Sequence, residues 1–365
     1  MATIPLIDLF AQYQSIKSEI DTAIQHVIRD SAFIGGGYLK TFEEAFAAYC
    51  QLPYGVGASS GTTALHLVFA ALGLEPGDEV ITVPNTFIAT VETIVQTGAK
   101  PVFVDVCPDT MNMDPDKLNA AITHKTRAIV PVHLYGQLAD MDPIVAIAQK
   151  HNLAIVEDAA QAHGAEYKKN RAGHFGMAAT FSFFPGKILG AYGDAGMVVT
   201  QDEKLANRMK MLANHGRLDK YEHQMPGYNY RMDPLQAAIL SVKLKHLDDW
   251  LERRRVHVRL YNTLFAESDI QPPIERANNR HVYTYYVIRT KKRDAVMQAL
   301  KDCNIDAIIH YPLPLHLQPA FRNLDYKLGD FPVAEQAAHE ILSLPLYPEM
   351  TADHIQQIAE QVLRA

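Results

Sequence analysis

From Ile16 the apolar residues Ile20, Ala23, Ile24 and Val27 recur at close to i, i+4, i+7, i+8 and i+11. That stripe covers one face of a helix and predicts one over residues 15–29. Gly35, Gly36 and Gly37 break the pattern, and a second helix is expected over Thr41–Tyr49. In GVGASSGTTALHLVFAALGL, small residues precede a helix with Leu65, Val68, Phe69 and Leu72 on one face, ended by Gly73. Beyond it the periodicity switches repeatedly. EVITV, PVFVDV, AIVPVHL and LAIVED read as strands; helices over Phe87–Gln96, Asp114–Ile122 and Pro143–His151 separate them. This alternation predicts a mostly parallel sheet with helices on both faces. ATFSFF and GMVVT, followed by a helix over Asp202–Ala213, would complete it.

Periodicity fails in YEHQMPGYNYRMD, from Tyr221 to Asp233, where aromatic and turn-forming residues mark a functional loop. A long charged helical stretch follows from Pro234 to about Phe265. The remainder reads as strand HVYTYYVI, helix Arg293–Cys303, strand IDAIIH, helix Val333–Ile341 and a last helix over Ala352–Leu363. The chain is therefore expected to form a large α/β domain over 1–240 and a smaller α+β domain over 241–365. Its N-terminal helix is free to pack on the smaller domain.

Composition narrows the functions this fold could serve. In 365 residues the formal net charge is −7 with the basic residues scattered, which argues against a general nucleic-acid or membrane partner. A local basic pocket for a phosphorylated ligand stays compatible with it. Cys50, Cys107 and Cys303 lie far apart without a CxxC pair, so neither a zinc site nor a disulfide framework is indicated. MATIPLIDLF lacks a basic start followed by a long apolar run, and no stretch approaches the roughly 20 apolar residues of a membrane span. A cytosolic protein is expected.

Candidate chemistry gathers around FSFFPGKILGAYGDAG, where Lys187 stands between an aromatic flank and glycines at 186, 190, 193 and 196. The flank is too apolar for an ordinary surface turn, and the glycines leave room for a flat ring. Asp158 closes the apolar run LAIVED, at the carboxyl edge of a parallel strand, where ligands bind in open α/β sheets. A desolvated lysine attacks carbonyls, and an acid opposite it can hold a pyridine nitrogen protonated; together they suggest pyridoxal phosphate. Asp158 could equally cap the helix that follows. Gln161 and His163 are near enough in sequence to touch the same ligand or to serve as structural polar contacts.

Ser60, Gly61 and Thr62 open a helix whose free N–H groups and dipole suit a phosphate, although serine and threonine cap helices everywhere. Ser182 could add a hydroxyl. Phe87 could stack on the ring or belong to the core. Tyr228, Asn229 and Arg231 form a polar aromatic cluster that could reach a neighbouring subunit. HYPLPLH offers His310, Tyr311 and His316 around two prolines. No carboxylate or cysteine joins those histidines at helical spacing, so a substrate-facing loop is favoured over a metal site.

ASSGTTALHL, PNTFIATVETI, VEDAAQAHGA, FSFFPGKILGAYGDAG, GYNYRMDPLQAAIL and HYPLPLH occur here in one order. In that order the chain resembles, over nearly its whole length, the DegT-type nucleotide-sugar aminotransferases, pyridoxal-phosphate enzymes with the fold of aspartate aminotransferase. The resemblance implies that Lys187 bears the cofactor and shuttles a proton. It gives Asp158 the ring nitrogen, Phe87 the ring face, Gly61, Thr62 and Ser182 the phosphate, and Gln161 and His163 the ring's surroundings. Asn229 would reach the phosphate of the other subunit, making an obligate homodimer. Glutamate would be the amino donor and a nucleoside-diphosphate ketosugar the acceptor. PGK and GD around the lysine, with His310 and His316, resemble members acting on 3-keto sugars. Phe184 and Ile188 depart from the tyrosine and asparagine common there. A dTDP-linked 3-keto-6-deoxyhexose is the expected acceptor, ahead of a UDP-linked 3-keto-2-acetamido sugar acid, for which Arg217, Arg231 and His215 speak. A dehydratase of the same fold is disfavoured by Lys187, and a non-catalytic regulator by the lack of any basic face or added DNA-binding segment.

Overall fold

The computed structural model describes residues 3–217 and 219–365. Seven strands form the central sheet: β1 (Tyr54–Ala58), β2 (Glu79–Thr82), β3 (Lys100–Phe103), β4 (Thr126–Ile129), β5 (Ala154–Asp158), β6 (Ala178–Ser182) and β7 (Gly196–Thr200). Their spatial order is β1-β7-β6-β5-β4-β2-β3. The pairs β2–β3, β2–β4, β4–β5 and β5–β6 are parallel; β7 runs antiparallel to both β6 and β1. The mostly parallel sheet expected from the alternation is present.

Period-two alternation splits the strand side chains between two cores. Ile81, Ile155, Ala179, Met197 and Val199 enter one cluster with Phe42, Phe46 and Met141; Val80, Val156, Ala178 and Val198 enter the other with Leu65, Val68, Ile94 and Met209. Strands buried on both faces read as continuous apolar runs. β1 escaped that reading because its residues are small. Helix Gly37–Tyr49 passes so close that a Cβ at Gly55 would lie 2.6 Å from Glu43 O, and one at Gly57 2.8 Å from Leu39 Cδ1.

The helix predicted over residues 15–29 is present as Lys17–Arg29, preceded by a helix, Leu9–Ser15, that the pattern did not announce; the helical stretch predicted from Pro234 to about Phe265 is two helices, Pro234–Leu244 and Leu247–Phe265. Ile16, Ile20, Ile239, Val242 and Trp250 form a small core between them. A third cluster, with Val258, Tyr261, Tyr286, Leu300 and Ile355, belongs to the C-terminal module, whose strands β8 (Tyr286–Arg289) and β9 (Ile341–Leu344) pair antiparallel. β9 begins where the predicted helix over Val333–Ile341 ends. IDAIIH makes only isolated bridges, Ile305 to Ile4 and Ile308 to Ser343. The N-terminal segment at Ile4 thus joins the small module, while the helix after it packs on the linker. Cores change over inside Leu247–Phe265: Leu251 faces the sheet domain and Val258 the small module.

Candidate active site

The carboxyl ends of β5 and β6 and the start of helix Gly61–Leu72 meet at a cavity of about 400 Å³, within the range of small-molecule sites. Ser60, Gly61, Thr62, Phe87, Asp158, Gln161, Ser182, Phe184, Lys187, His310 and Tyr311 line it. Residues far apart in sequence are brought together as expected.

Glycine sets the approach of the helix to the sheet. A Cβ at Gly61 would stand 2.6 Å from Ser182 Cβ, and one at Gly196 2.2 Å from Ser60 O. Ser60 caps the helix, its Oγ accepting from Thr63 N at 3.1 Å while Ser60 N donates to Thr63 Oγ1 at 2.9 Å. The cap leaves the N–H groups of Gly61 and Thr62 without acceptors among the described residues, at the positive end of the dipole.

Asp158 is the last residue of β5 and is buried. Its Oδ2 accepts from Thr90 Oγ1 at 2.7 Å and its Oδ1 from Ala160 N at 3.2 Å. Burial raises its proton affinity above the ordinary carboxyl value, only partly offset by those bonds and by the charge of Lys187. A cation placed beside it would act in the opposite sense. Lys187 sits in the turn after β6, its N donating to Phe184 O at 2.8 Å. Among the described residues its Nζ has no hydrogen bond, and solvent reaches it through the cavity. Burial pulls the amine down to about 8, with Asp158 holding it up in part.

On the opposite wall, Gln161 Oε1 accepts from Tyr135 N at 2.8 Å and Gln161 Nε2 donates to Tyr311 Oη at 3.1 Å. Tyr135 Oη donates to His310 O. The His310 ring stacks on Tyr285 at 3.9 Å and bonds Ser343 Oγ at 2.8 Å through Nδ1; burial and then the Lys187 charge lower its proton affinity to about 4. Phe87 and Phe184 stand at the rim, both more than half exposed.

Five expected residues lie elsewhere. His316 is turned away by the short helical turn Leu315–Leu317; its Nε2 bonds Glu335 Oε1 at 2.9 Å and its ring packs on Phe331, a structural placement that does not make it a wall of the cavity. Tyr228 stacks on Tyr230 at 4.7 Å beside His66, and Arg231 donates to Asn214 Oδ1 at 2.8 Å. With Asn229, which bridges to Asn214, they lie outside the cavity of their own chain. His163 is beneath the floor: fully buried among Phe46, Phe181 and Phe183, with neither ring nitrogen hydrogen-bonded and its proton affinity driven down to about 3, first by burial.

Sequence reasoning did not single out Thr86, Thr90, Tyr285 and Asp194. Thr90 was findable, since it follows Phe87 by three positions in the same helical turn, and Asp194 lies in the glycine run after Lys187. Tyr285 gave no local signal, because it meets the site only through the small module's packing.

Such a cavity fits pyridoxal phosphate. It has a free amine, a buried carboxyl opposite, and a helix start whose N–H groups are open and whose Gly61 leaves no room for a side chain. An α/β enzyme of the lysine-bound cofactor class is the kind of protein these features define. Residues 14–363 match the DegT/DnrJ/EryC1/StrS aminotransferase family, and the chain belongs to it. It is a pyridoxal-phosphate-dependent transaminase. It is 49% identical over 98% of its length to a pleiotropic regulatory protein of Geobacillus stearothermophilus, 97% of which is covered. It is 42% identical to the dTDP-3-amino-3,4,6-trideoxy-alpha-D-glucose transaminase of Streptomyces venezuelae, covering 99% of this chain and 98% of the relative. It is also 42% identical to the UDP-2-acetamido-2-deoxy-3-oxo-D-glucuronate aminotransferase of Pseudomonas aeruginosa, covering 97% and 98%. The crystal structure of S. venezuelae DesV superimposes with a TM-score of 0.97 at 42% identity, covering 100% and 98%. Among the described residues no helix is long and apolar enough to cross a membrane, and no cluster of three or more metal-ligating side chains occurs.

Proposed function

We propose that the chain transfers an amino group from glutamate to the 3-keto carbon of a nucleotide-linked 6-deoxyhexose, carried on dTDP, working as a homodimer. What supports this most is the single cavity that joins Lys187, Asp158 and the helix start at Ser60–Thr62, read with the PGK and GD sequence around the lysine. Bound pyridoxal phosphate supplies an electron sink for the carbon that exchanges its proton. Asp158 holds a proton on the ring nitrogen, and Thr90 and Ala160 hold Asp158. Lys187, with its amine brought near 8, is neutral in an appreciable fraction at neutral pH, so its Nζ can take a proton from one carbon and return it to another. Gly61 and Thr62 bind the phosphate through backbone N–H groups, and Ser182 adds its hydroxyl. Phe87 covers the ring. Phe184, His310 and Tyr311 face the sugar, where the apolar Phe184 suits a 6-deoxy carbon.

The UDP-linked sugar acid is the second reading, favoured by the equal identity to the P. aeruginosa relative. It would need a cation at the sugar carboxylate, and within its own chain Arg231 is engaged with Asn214 outside the cavity. A regulatory role, suggested by the name of the G. stearothermophilus relative, does not call for a reactive lysine in an open cavity. The deciding experiment supplies glutamate with dTDP-3-keto-6-deoxyglucose, its galacto epimer and UDP-3-keto sugar acids, and follows 2-oxoglutarate. The dTDP sugars are expected to turn over; product from the UDP acids alone would refute the proposal.

A further inference from the structure

The segment that carries Lys187 leaves the sheet at Phe183 and rejoins it at Gly196 with no helix or strand between. Its first half closes on itself. Ala191 N donates to Phe183 O at 2.8 Å, and a Cβ at Gly190 would lie 2.2 Å from Pro185 O, so the chain doubles back there. The outgoing arm, Gly190 to Tyr192, is held by another element. Gln236 Oε1 accepts from Tyr192 N at 2.8 Å and Gln236 Nε2 donates to Tyr192 O at 3.3 Å. Lys243 Nζ donates to Gly190 O at 2.7 Å and lies 4.2 Å from the centre of the Tyr192 ring.

Gln236 and Lys243 share helix Pro234–Leu244, seven positions apart and so two turns along one face. That helix is itself fixed, with Ala237 and Leu240 in the main core and Ile239 and Val242 against the N-terminal helix. Lys243 is fully buried. Burial brings its amine to about 7, with Glu349 opposing the shift; in either protonation state an N–H remains for Gly190 O. Burying an amine costs free energy that an apolar side chain of the same length would not. A residue serving only to fill the core has no need of it.

We propose that Gln236 and Lys243 are positioning residues that clamp the Gly190–Tyr192 arm, and that this clamp holds Lys187 in its half-buried place in the cavity, whose wall Asp194 also lines. The clamp rests on the transaminase reading for its purpose but is measurable without it.

The test uses the full-length chain freed of cofactor, with acetylation of Lys187 by acetic anhydride followed by mass spectrometry across pH. The unaltered protein should give a midpoint near 8. Gln236→Ala and Lys243→Met should each raise it by about half a unit or more toward the free-lysine value, leaving about threefold less neutral amine at pH 7. Ser241→Ala, which removes a hydroxyl bonded to Ala237 O on the same helix, should leave the midpoint in place. If Lys243→Met fails to fold, Gln236→Ala at the half-buried end of the helix decides. Midpoints unmoved in the folded variants would overturn the clamp whether or not the enzyme transaminates. Loss of turnover in Lys187→Ala bears on the transaminase reading alone.

Discussion

Gly61→Ala gives the sharpest test of the phosphate cradle, because two effects predict opposite signs. At the start of an exposed helix, alanine in place of glycine stabilises by up to about 1 kcal/mol. Here the new Cβ would lie 2.6 Å from Ser182 Cβ, whereas carbon atoms rest at about 3.5–4.0 Å. The helix start must therefore retreat from the strand by about 1 Å, at an overpacking cost of about 1–3 kcal/mol. A shift of that size opens at least one N–H contact to a charged phosphate, worth about 2 kcal/mol, or about 30-fold in Kd. Affinities of the cofactor-free variant for pyridoxal phosphate and for pyridoxal, followed by absorbance, separate the effects. The phosphorylated form should lose the 30-fold while pyridoxal, which has no phosphate to place, changes little. Adding Ser182→Gly should recover much of the lost thermal stability, since it removes the atom struck. Unchanged pyridoxal phosphate affinity in Gly61→Ala would refute the cradle.

Lys187→Ala should lose both the covalently held cofactor, read by mass spectrometry after borohydride reduction, and all transamination; retained turnover would sink the mechanism. Lys187 should react with acylating reagents with a midpoint near 8, giving about 300-fold more neutral amine at pH 7 than an ordinary lysine. Because this group is depressed in the folded state, the unfolded chain binds more protons between pH 8 and 10.5, so the cofactor-free protein should gain stability as pH rises through that window. His316→Leu should cost about 1 kcal/mol, measured by denaturant unfolding, by removing one bond to Glu335, which keeps those from Gly329 N and Phe331 N, while KM for the sugar stays the same. Phe184→Tyr should alter the preference between 6-deoxy and 6-hydroxy sugars, as judged by competing substrates, more than it alters the glutamate half-reaction.

Much of this architecture was legible because long buried strands and amphipathic helices leave periodic traces. Gly73 ended its helix in the left-handed conformation expected of a C-terminal glycine, at φ 71°, and Asp114 and Asp202 capped theirs. β1 was missed because close packing of a helix selects small residues there, which mimic a loop. The helical stretch predicted as continuous from Pro234 to about Phe265 breaks at Lys245–His246, where tertiary contacts redirect the chain without any glycine or proline to announce it. In the site, Lys187, Asp158 and Ser60 carried local signals: an amine in apolar surroundings, an acid at a strand end, a cap. His316 carried the same signal as His310, and only the three-dimensional path of the loop, with Glu335 waiting nineteen residues on, separates the two. Thr90 and Tyr285 act through contacts that no local pattern encodes.

The reversed direction of β7 has a consequence for how such a protein could be altered. Had β7 run parallel to β6, the chain after Lys187 would have needed a crossover helix to return to the sheet's other end. Running antiparallel, it lets the stretch from Phe183 to Ala195 leave the sheet and rejoin it on neighbouring strands. Its two ends are tied by Phe183 N to Ala195 O at 2.8 Å; Phe183, Ile188, Leu189 and Ala191 anchor it in the main core, and Gln236 and Lys243 hold its outgoing arm. Length changes there need no rerouting of the backbone, and exposed positions such as Phe184 are free to vary, whereas the buried residues tie any exchange of the segment to the core beneath it.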